Sequence, residues 1–356
     1  MAKTITKIML QMIAGANVAT IVAMLATGYS GYINPAVSPW LANAALVFPV
    51  FLFLNFAFLI FWLFFKPLYA IIPFVGMVIG FTPIRTYCPF NIPSAAPEGA
   101  IKVMSYNVWG YGTDKNVDGT NIVVQYIADS DADIVCLQES AEHEVGSVQV
   151  DSILGKVYEY KDTAKNKGDF MTIFSKYPIL SKEHIRYQSK GNMSCAFKLR
   201  VRHRDVIVVN NHLETTGLSL DEKEQFQQLM KGELKGKAVT RTSKWLINHL
   251  GQQTKKRAPE ADAVARYIAY HGGVPMIVCG DFNDTPLSYA HRTISKGLVD
   301  CFEETGNGPG ISYHKSRMYV RIDNILCTPD FKRYACKVDN SIKNSDHYPI
   351  MCWLML

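Results

Sequence analysis

The sequence predicts a layered α/β domain at residues 101–356, carried behind a membrane segment of about three helices at 1–84 and a Pro-rich linker at 85–100. Three observations predict this order. Between Lys7 and Lys66 there is no Asp, Glu, Lys or Arg, whereas a bilayer-spanning helix needs only about 20 apolar residues. Residues 82–100 (TPIRTYCPFNIPSAAPEGA) hold four prolines among small or polar residues, the composition of an extended spacer. From residue 101 onward, short apolar runs that end in polar residues alternate with helical stretches. At 356 residues, 48% hydrophobic and 19% charged, the chain is not disordered, collagen-like or a disulfide mini-protein.

The first two spans read as 8–27 and 41–65, separated by GYSGYINPAVSPW, whose Gly, Asn and Pro residues are turn chemistry and whose Tyr32 and Trp40 suit a membrane interface. A third, 68–84, is shorter and interrupted by Pro73. A cleaved signal peptide is the alternative for residues 1–27, since Lys3 and Lys7 resemble a positive n-region, but two further apolar stretches follow it. Lys3, Lys7 and Lys66 all fall on one side of such a multi-pass segment, which the positive-inside rule makes cytoplasmic. Three crossings then put the remainder on the extracytoplasmic (periplasmic or extracellular) side. Arg85 argues the other way, and a re-entrant third segment would leave the domain cytoplasmic.

Strands are predicted at 101–108, 133–139, 170–175, 195–201, 205–212, 276–282, 321–327 and 348–354. Helices are predicted at 119–129, 219–231, 239–250, 259–271 and 286–296, the last with Thr285 as N-cap and Pro286 in the first turn. Such a mixture over one stretch of this length implies a single layered domain.

The net charge of +6 comes mostly from the membrane segment: residues 1–90 carry four basic residues and no acid, which leaves 33 basic against 31 acidic over 91–356. That balance gives no support to a nucleic-acid binder working by charge alone. Eight cysteines include no Cys-x-x-Cys pair, so no zinc site is expected. Cys136, Cys279, Cys327 and Cys352 lie in apolar strands as small hydrophobes, while Cys88, Cys195, Cys301 and Cys336 are disulfide candidates if the domain is outside.

Polar residues recur at the ends of apolar strands. Asn107 closes the first, Glu139 the second, Asn210 and His212 the fifth, Asp281 and Asn283 the sixth; Asp323 interrupts the next and Asp346–His347 precede the last. Converging strand ends would gather carboxylates, amides and imidazoles into one pocket, with no nucleophilic serine elbow. An oxygen-rich set of this kind selects a hard cation such as Mg²⁺, Mn²⁺ or Ca²⁺. Together these groups suit phosphate-ester hydrolysis: the cation neutralises phosphoryl charge, a carboxylate orients water and a histidine stabilises the transition state.

Seven segments then match a family in order: YNVWG (106–110), DIVCLQE (133–139), SKYPI (175–179), NNHL (210–213), GDFNDTP (280–286), RIDNIL (321–326) and NSDHYPI (344–350). The region 101–356 resembles the endonuclease/exonuclease/phosphatase superfamily, which includes deoxyribonuclease-I-like nucleases, neutral sphingomyelinases and inositol polyphosphate 5-phosphatases. The resemblance implies a four-layered α/β sandwich of two packed mixed sheets, with one active site at their edge. It implies Glu139 as main metal ligand beside Asn107, Asp281 as the residue orienting the water, and Asn283 as a holder of water or phosphate. His347 would sit by the scissile phosphate, oriented by Asp323, with Asp346 at or behind the metal site. His212 would contact the phosphate from the opposite side, supported by Asn210. Many relatives have small apolar residues after the glycine at position 168, where this chain has Asp169–Phe170. The other histidines (His143, His184, His203, His249, His271, His291, His314) read as surface or structural.

Residues 231–257 carry eight Lys/Arg against one Glu. They read either as a solvated helix pair or as a cationic flap for phosphate-rich substrate or anionic lipid, with Trp245 as an interfacial anchor. The leading expectation is a membrane-anchored phosphoester hydrolase whose partners are the lipid bilayer and a phospholipid headgroup. A membrane-tethered nuclease acting on nucleic acid is the alternative, and a non-catalytic binding protein on the same fold ranks last. No protein partner is read from the sequence.

Overall fold

The structure, a computed structural model, describes residues 2–142 and 145–356, with the side chains of 2–4 and 220 outside the description; His143 is outside it too. Two long apolar helical stretches, Ile5–Tyr32 and Pro39–Phe65, are long enough to cross a membrane, and a bent pair, Pro67–Ile79 and Phe81–Tyr87, forms the third element. The 68° bend falls around Gly80 rather than at Pro73. The first two stretches are joined by polar side chains: Asn17 Nδ2 donates to Asn55 Oδ1 (3.2 Å), and Trp62 Nε1 donates to Asn17 Oδ1 (3.2 Å). Buried amides that satisfy one another in this way hold apolar helices together where hydrophobicity alone gives no preference.

Twelve strands follow: β1 (Ile101–Asn107), β2 (Ile134–Gln138), β3 (Tyr160–Asn166), β4 (Asp169–Ser175), β5 (Ile179–Ile185), β6 (Met193–Val201), β7 (Arg204–His212), β8 (Met276–Asp281), β9 (Val299–Asp300), β10 (Asp323–Cys327), β11 (Lys332–Val338) and β12 (Ile350–Met355). They form two six-stranded mixed sheets, ordered β11-β12-β1-β2-β4-β3 and β5-β6-β7-β8-β10-β9. Their inner faces share one core, including Val103, Ile134, Ile173, Val208, Ile277 and Ile325. Helices Ile122–Asp129 and Ser147–Leu154 contribute to the core on the outer face of the first sheet. Lys237–Tyr270 and Tyr289–Ile294 do the same on the second. The result is the four-layered α/β sandwich.

The eight predicted strands are the interior ones. The four that the sequence pattern does not show, β3, β5, β9 and β11, are the four sheet edges. An edge strand has one neighbour and a wet side, so it carries charge where an interior strand alternates; β5, ILSKEHI, is mostly exposed. The helices 239–250 and 259–271 are one 34-residue helix, Lys237–Tyr270, running through Pro259. Pro259 is exposed, while Ala258, Ala261, Val264 and Ile268 around it are buried. Burial of that face outweighs the roughly 3 kcal/mol that an interior proline costs. The helix placed at 286–296 begins instead at Tyr289, capped by Ser288. All eight cysteines are free, so none of the disulfide candidates is joined.

The apolar helical segment is docked on the sandwich rather than trailing from it. Leu287 packs into a small core with Met24, Ala45 and Phe48. A Cβ on Gly31 would lie 2.3 Å from the Leu287 carbonyl oxygen, so only glycine permits this approach. Thr254 Oγ1 donates to Asn43 Oδ1 (2.6 Å), and the Arg292 guanidinium lies 3.5 Å over the Tyr32 ring.

Candidate active site

Strand register assembles the site. Asp281 of β8 stands beside His212 of β7 on one side and Asp323 of β10 on the other. Side chains in register on adjacent strands share a face. These three therefore end the inner face whose deeper positions are Val208, Ile277 and Ile325. On the opposing sheet Asn107 pairs with Gln138, and Glu139 is the next residue. Gly280 makes the close approach of β7 and β8 feasible: its φ is +126°, and a Cβ there would meet the Asn211 oxygen at 2.0 Å.

Two aspartate–histidine pairs flank Asp281. His347 Nδ1 is 2.8 Å from Asp323 Oδ2, and its Nε2 is 3.6 Å from Asp281 Oδ2. His212 Nδ1 is 2.9 Å from Asp169 Oδ2, and its Nε2 is 3.6 Å from Glu139 Oε1 and 4.0 Å from Asp281 Oδ2. Asp169 was not among the predicted site residues. It opens β4 straight after a tight turn at Lys167–Gly168, where an aspartate reads as turn chemistry; the only signal was its replacement of a small apolar residue.

Burial works against charging either imidazole. For His212 the carboxylates of Asp169, Glu139 and Asp281 override it and push the pKa up to about 10. For His347, Asp323, Asp281 and Asp346 do the same, also to about 10. Burial pushes the Asp281 carboxyl up; His347 opposes this, Asp323 adds to it, and His212 opposes it again. At neutral pH the site thus presents two cationic donors to an anion placed beside Asp281.

Asn107 Nδ2 donates to both Glu139 Oε1 and Asp281 Oδ2, each at 3.1 Å. The Asn283 N–H donates to Asp281 Oδ1 (2.8 Å), and the Asn283 side chain donates to the Leu213 oxygen (2.9 Å). Glu139 and Asn283 both have φ of +51°, a region that non-glycine residues rarely occupy. His347 is framed by the Tyr313 ring at 5.1 Å, near perpendicular, and by Ser345, whose Oγ accepts from the His347 N–H (3.2 Å) and donates to the Asn107 oxygen (2.7 Å). Asp346 is half-buried on the His347 side, and its peptide oxygen accepts from His314. Asn210, expected to support the phosphate contact, has its amide engaged between the sheets: it accepts from Gln138 Nε2 (2.6 Å) and donates to the Leu137 oxygen (3.0 Å).

The loops that follow His212 and Asp281 are clamped by the long helix. Arg257 donates Nε to the Glu214 oxygen (2.8 Å) and pairs Nη1 with Asp284 Oδ2 (2.5 Å), while Glu260 Oε2 accepts from the Glu214 N–H (2.7 Å). Arg257 belongs to the cationic run but points inward. Of that run, Lys235, Lys237, Arg241, Lys244 and Lys255 are exposed, and Trp245 packs on His249. His291, read as structural, is buried and paired with Asp300 (3.0 Å).

Residues 104–347 match the model of the Endonuclease/Exonuclease/phosphatase family. The chain belongs to that family. It is therefore an enzyme of the phosphoric-ester hydrolase and nuclease class. Residues 10–87 match a second model, described as a domain of unknown function (DUF8431). No curated protein matches the chain. Among solved structures, a humanized D. rerio TDP2 with 14 mutations is similar at TM-score 0.53 and 16% identity, over 72% of this chain and 99% of that one. The human Nocturnin catalytic domain with bound sulfate is similar at 0.52 and 14%, over 73% and 96%. A family protein from Beutenbergia cavernae DSM 12333 is similar at 0.50 and 17%, over 72% and 71%. At these identities the likeness shows the fold alone.

Family chemistry depends on a divalent metal, and the donors here fit one. Asp281, Asp323 and His347 have ligand atoms within 4.8 Å of one another. The Asp323–His347 hydrogen bond, however, already uses one atom of each. Glu139 Oε1 and Asp281 Oδ2, drawn together by the Asn107 side chain, are the other carboxylate oxygens that could hold such an ion.

Proposed function

We propose that the protein is a membrane-anchored, Mg²⁺-dependent phosphoester hydrolase acting on phospholipid headgroups from the extracytoplasmic side. The observation that carries this reading is the seat of the loop after β8. Asp281 and Asn283 lie at one end of that loop, and Leu287 at the other is lodged among Met24, Ala45 and Phe48 at the ends of the apolar helices. A site on so short a tether works next to the bilayer. The same contact supports the topology. The sandwich touches the chain between the first two apolar helices, opposite Lys7 and Lys66, so the bent pair 67–87 completes a third crossing. Positive charge at Lys7 and Lys66 then leaves the catalytic domain outside the cytoplasm.

In this reading Glu139, Asn107 and Asp281 would hold the Mg²⁺, Asp346 adds negative charge on the His347 side, and the ion would supply neutralisation of charge on the phosphoryl oxygens. Asp281, whose Oδ1 is held by the Asn283 N–H, orients the attacking water. His347, held by Asp323 through Nδ1, donates from Nε2 to the phosphoryl group. His212, held by Asp169, donates from the opposite side. Asn210 acts at a distance, by fixing one sheet against the other.

The test is hydrolysis by the full chain in detergent and in vesicles, with Mg²⁺ or EDTA, on mixed phospholipids, plasmid DNA and RNA. Lipid turnover that requires Mg²⁺ and disappears in Asp281→Ala supports the proposal. Cleavage of nucleic acid alone replaces it with the tethered nuclease.

A further inference from the structure

A cavity of about 380 Å³ opens where the apolar helices meet the sandwich. Tyr29, Tyr32 and Thr86 line it from the membrane segment; Arg292, Glu303 and Glu304 line it from the sandwich. No member of the Asp281 cluster lines it, so it is separate from the hydrolytic site.

Its depth is fixed by the chain around it. The first long apolar helix ends at Gly28, and the Tyr29 hydroxyl donates to the Ile79 oxygen (3.2 Å), just before the bend of the third element. The cavity therefore sits where apolar helix gives way to polar chain, the level of phospholipid headgroups, at which tyrosines are enriched.

Its charge is polarised. Glu303 forms no ion pair among the described residues; burial raises its carboxyl pKa, against which Thr86, His291 and Arg85 act only in part, so its charge remains open to a cation in the cavity. Glu304 is exposed and meets Arg333 only at 3.5 Å. Arg292 faces no carboxylate within ion-pair range among the described residues and lies 3.5 Å over the Tyr32 ring. Carboxylates with aromatic rings suit an ammonium group, and a guanidinium suits a phosphate. A volume of this size falls within the range of small-ligand sites.

We propose that this cavity binds the headgroup of a zwitterionic, amine-bearing phospholipid, the ammonium toward Glu303 and Glu304 and the phosphate toward Arg292. Because Pro286 and Leu287 also line the cavity, the occupant touches the loop that carries Asp281 and Asn283. The inference rests on the membrane reading above.

The test is the melting temperature of the full chain in a neutral detergent, with short-chain phosphatidylethanolamine, phosphatidylcholine or phosphatidylglycerol added. Either amine lipid should raise it by about 5 °C, the glycerol lipid should not, and the Glu303→Gln/Glu304→Gln double variant should lose the rise. Response to one amine lipid alone identifies the headgroup; response to both supports recognition of the ammonium that they share. Should the double variant not fold, Glu304→Gln, at an exposed position, must reduce the rise on its own. An equal rise with phosphatidylglycerol, or a rise undiminished in the variants, overturns the proposal. Alkaline carbonate extraction keeps the two readings apart: release from membranes sinks the membrane reading, whereas retention without headgroup preference sinks this site alone.

Discussion

The two aspartate–histidine pairs have nearly the same bond lengths and burial yet are held by different means. Asp323–His347 joins a strand to a loop: Asp323 opens β10, His347 lies in the loop before β12, and Tyr313 and Ser345 close around its ring. Asp169–His212 joins two strand ends, Asp169 at the start of β4 and His212 at the end of β7, and the chain beyond His212 is kept in place by Arg257 and Glu260 of the long helix. The first depends on a loop packed around its histidine, the second on paired strands whose onward loop is tied down by buried charges. Equal geometry therefore conceals unequal sensitivity to mutation.

The largest expected difference is catalytic. His347→Asn should lower kcat about a thousandfold, and His212→Asn about a hundredfold or less, since a proton donor is worth about 10²–10⁴ and His347 has the closer approach to Asp281. Equal losses in steady-state assays would end the comparison. Next comes stability. Arg257→Met should cost about 3 kcal/mol in denaturant unfolding, because breaking a buried pair strands Asp284. Arg257→Met/Asp284→Asn should recover part of it; an additive loss would show that the pair does not couple the two loops.

A smaller effect is expected at the residue behind His212. Asp169→Asn should reduce kcat about tenfold and leave KM near its starting value, as loss of a group that orients a histidine rather than one that binds substrate. A fall in KM affinity with kcat intact would move Asp169 into substrate recognition. The smallest effect is a pH dependence confined to the His212 side. Burial raises the Glu260 carboxyl from 4.5 to about 7. Its stabilising contribution is complete below the lower value and is lost as pH rises through the upper, since the folded state keeps the proton longer. Glu260→Gln should remove that loss, leaving the variant more stable at pH 8 on the order of 1 kcal/mol. Melting curves at pH 5 and 8 check this; parallel curves for both proteins would place the charge elsewhere.

Legibility followed the same division. Asp323, His347, Asp281 and Glu139 stand at the ends of apolar runs, where a charge has no packing role, and their meeting in space was readable. Asp169 stands after a glycine turn, where aspartate is ordinary, so its bond to His212 was not readable. Arg257 was one cation among eight in its segment, and nothing local distinguishes it from the exposed Lys255 two residues earlier. Asn210 was visible as a strand-end amide, but whether it faces a ligand or ties two sheets depends on the opposite strand.

What the sequence by itself determined is whatever follows from short-range pattern: the charge-free apolar stretches, the eight interior strands whose burial imposes apolar residues, and the polar residues that end them. Tertiary structure alone decided the four edge strands, the unbroken helix through Pro259, the Asp169–His212 pair and the docking of Leu287 among the apolar helices. Each of these depends on partners tens to hundreds of residues away, and the free energy that fixes them, burial against a distant surface or a charge matched across a sheet, leaves no periodic trace in the segment itself.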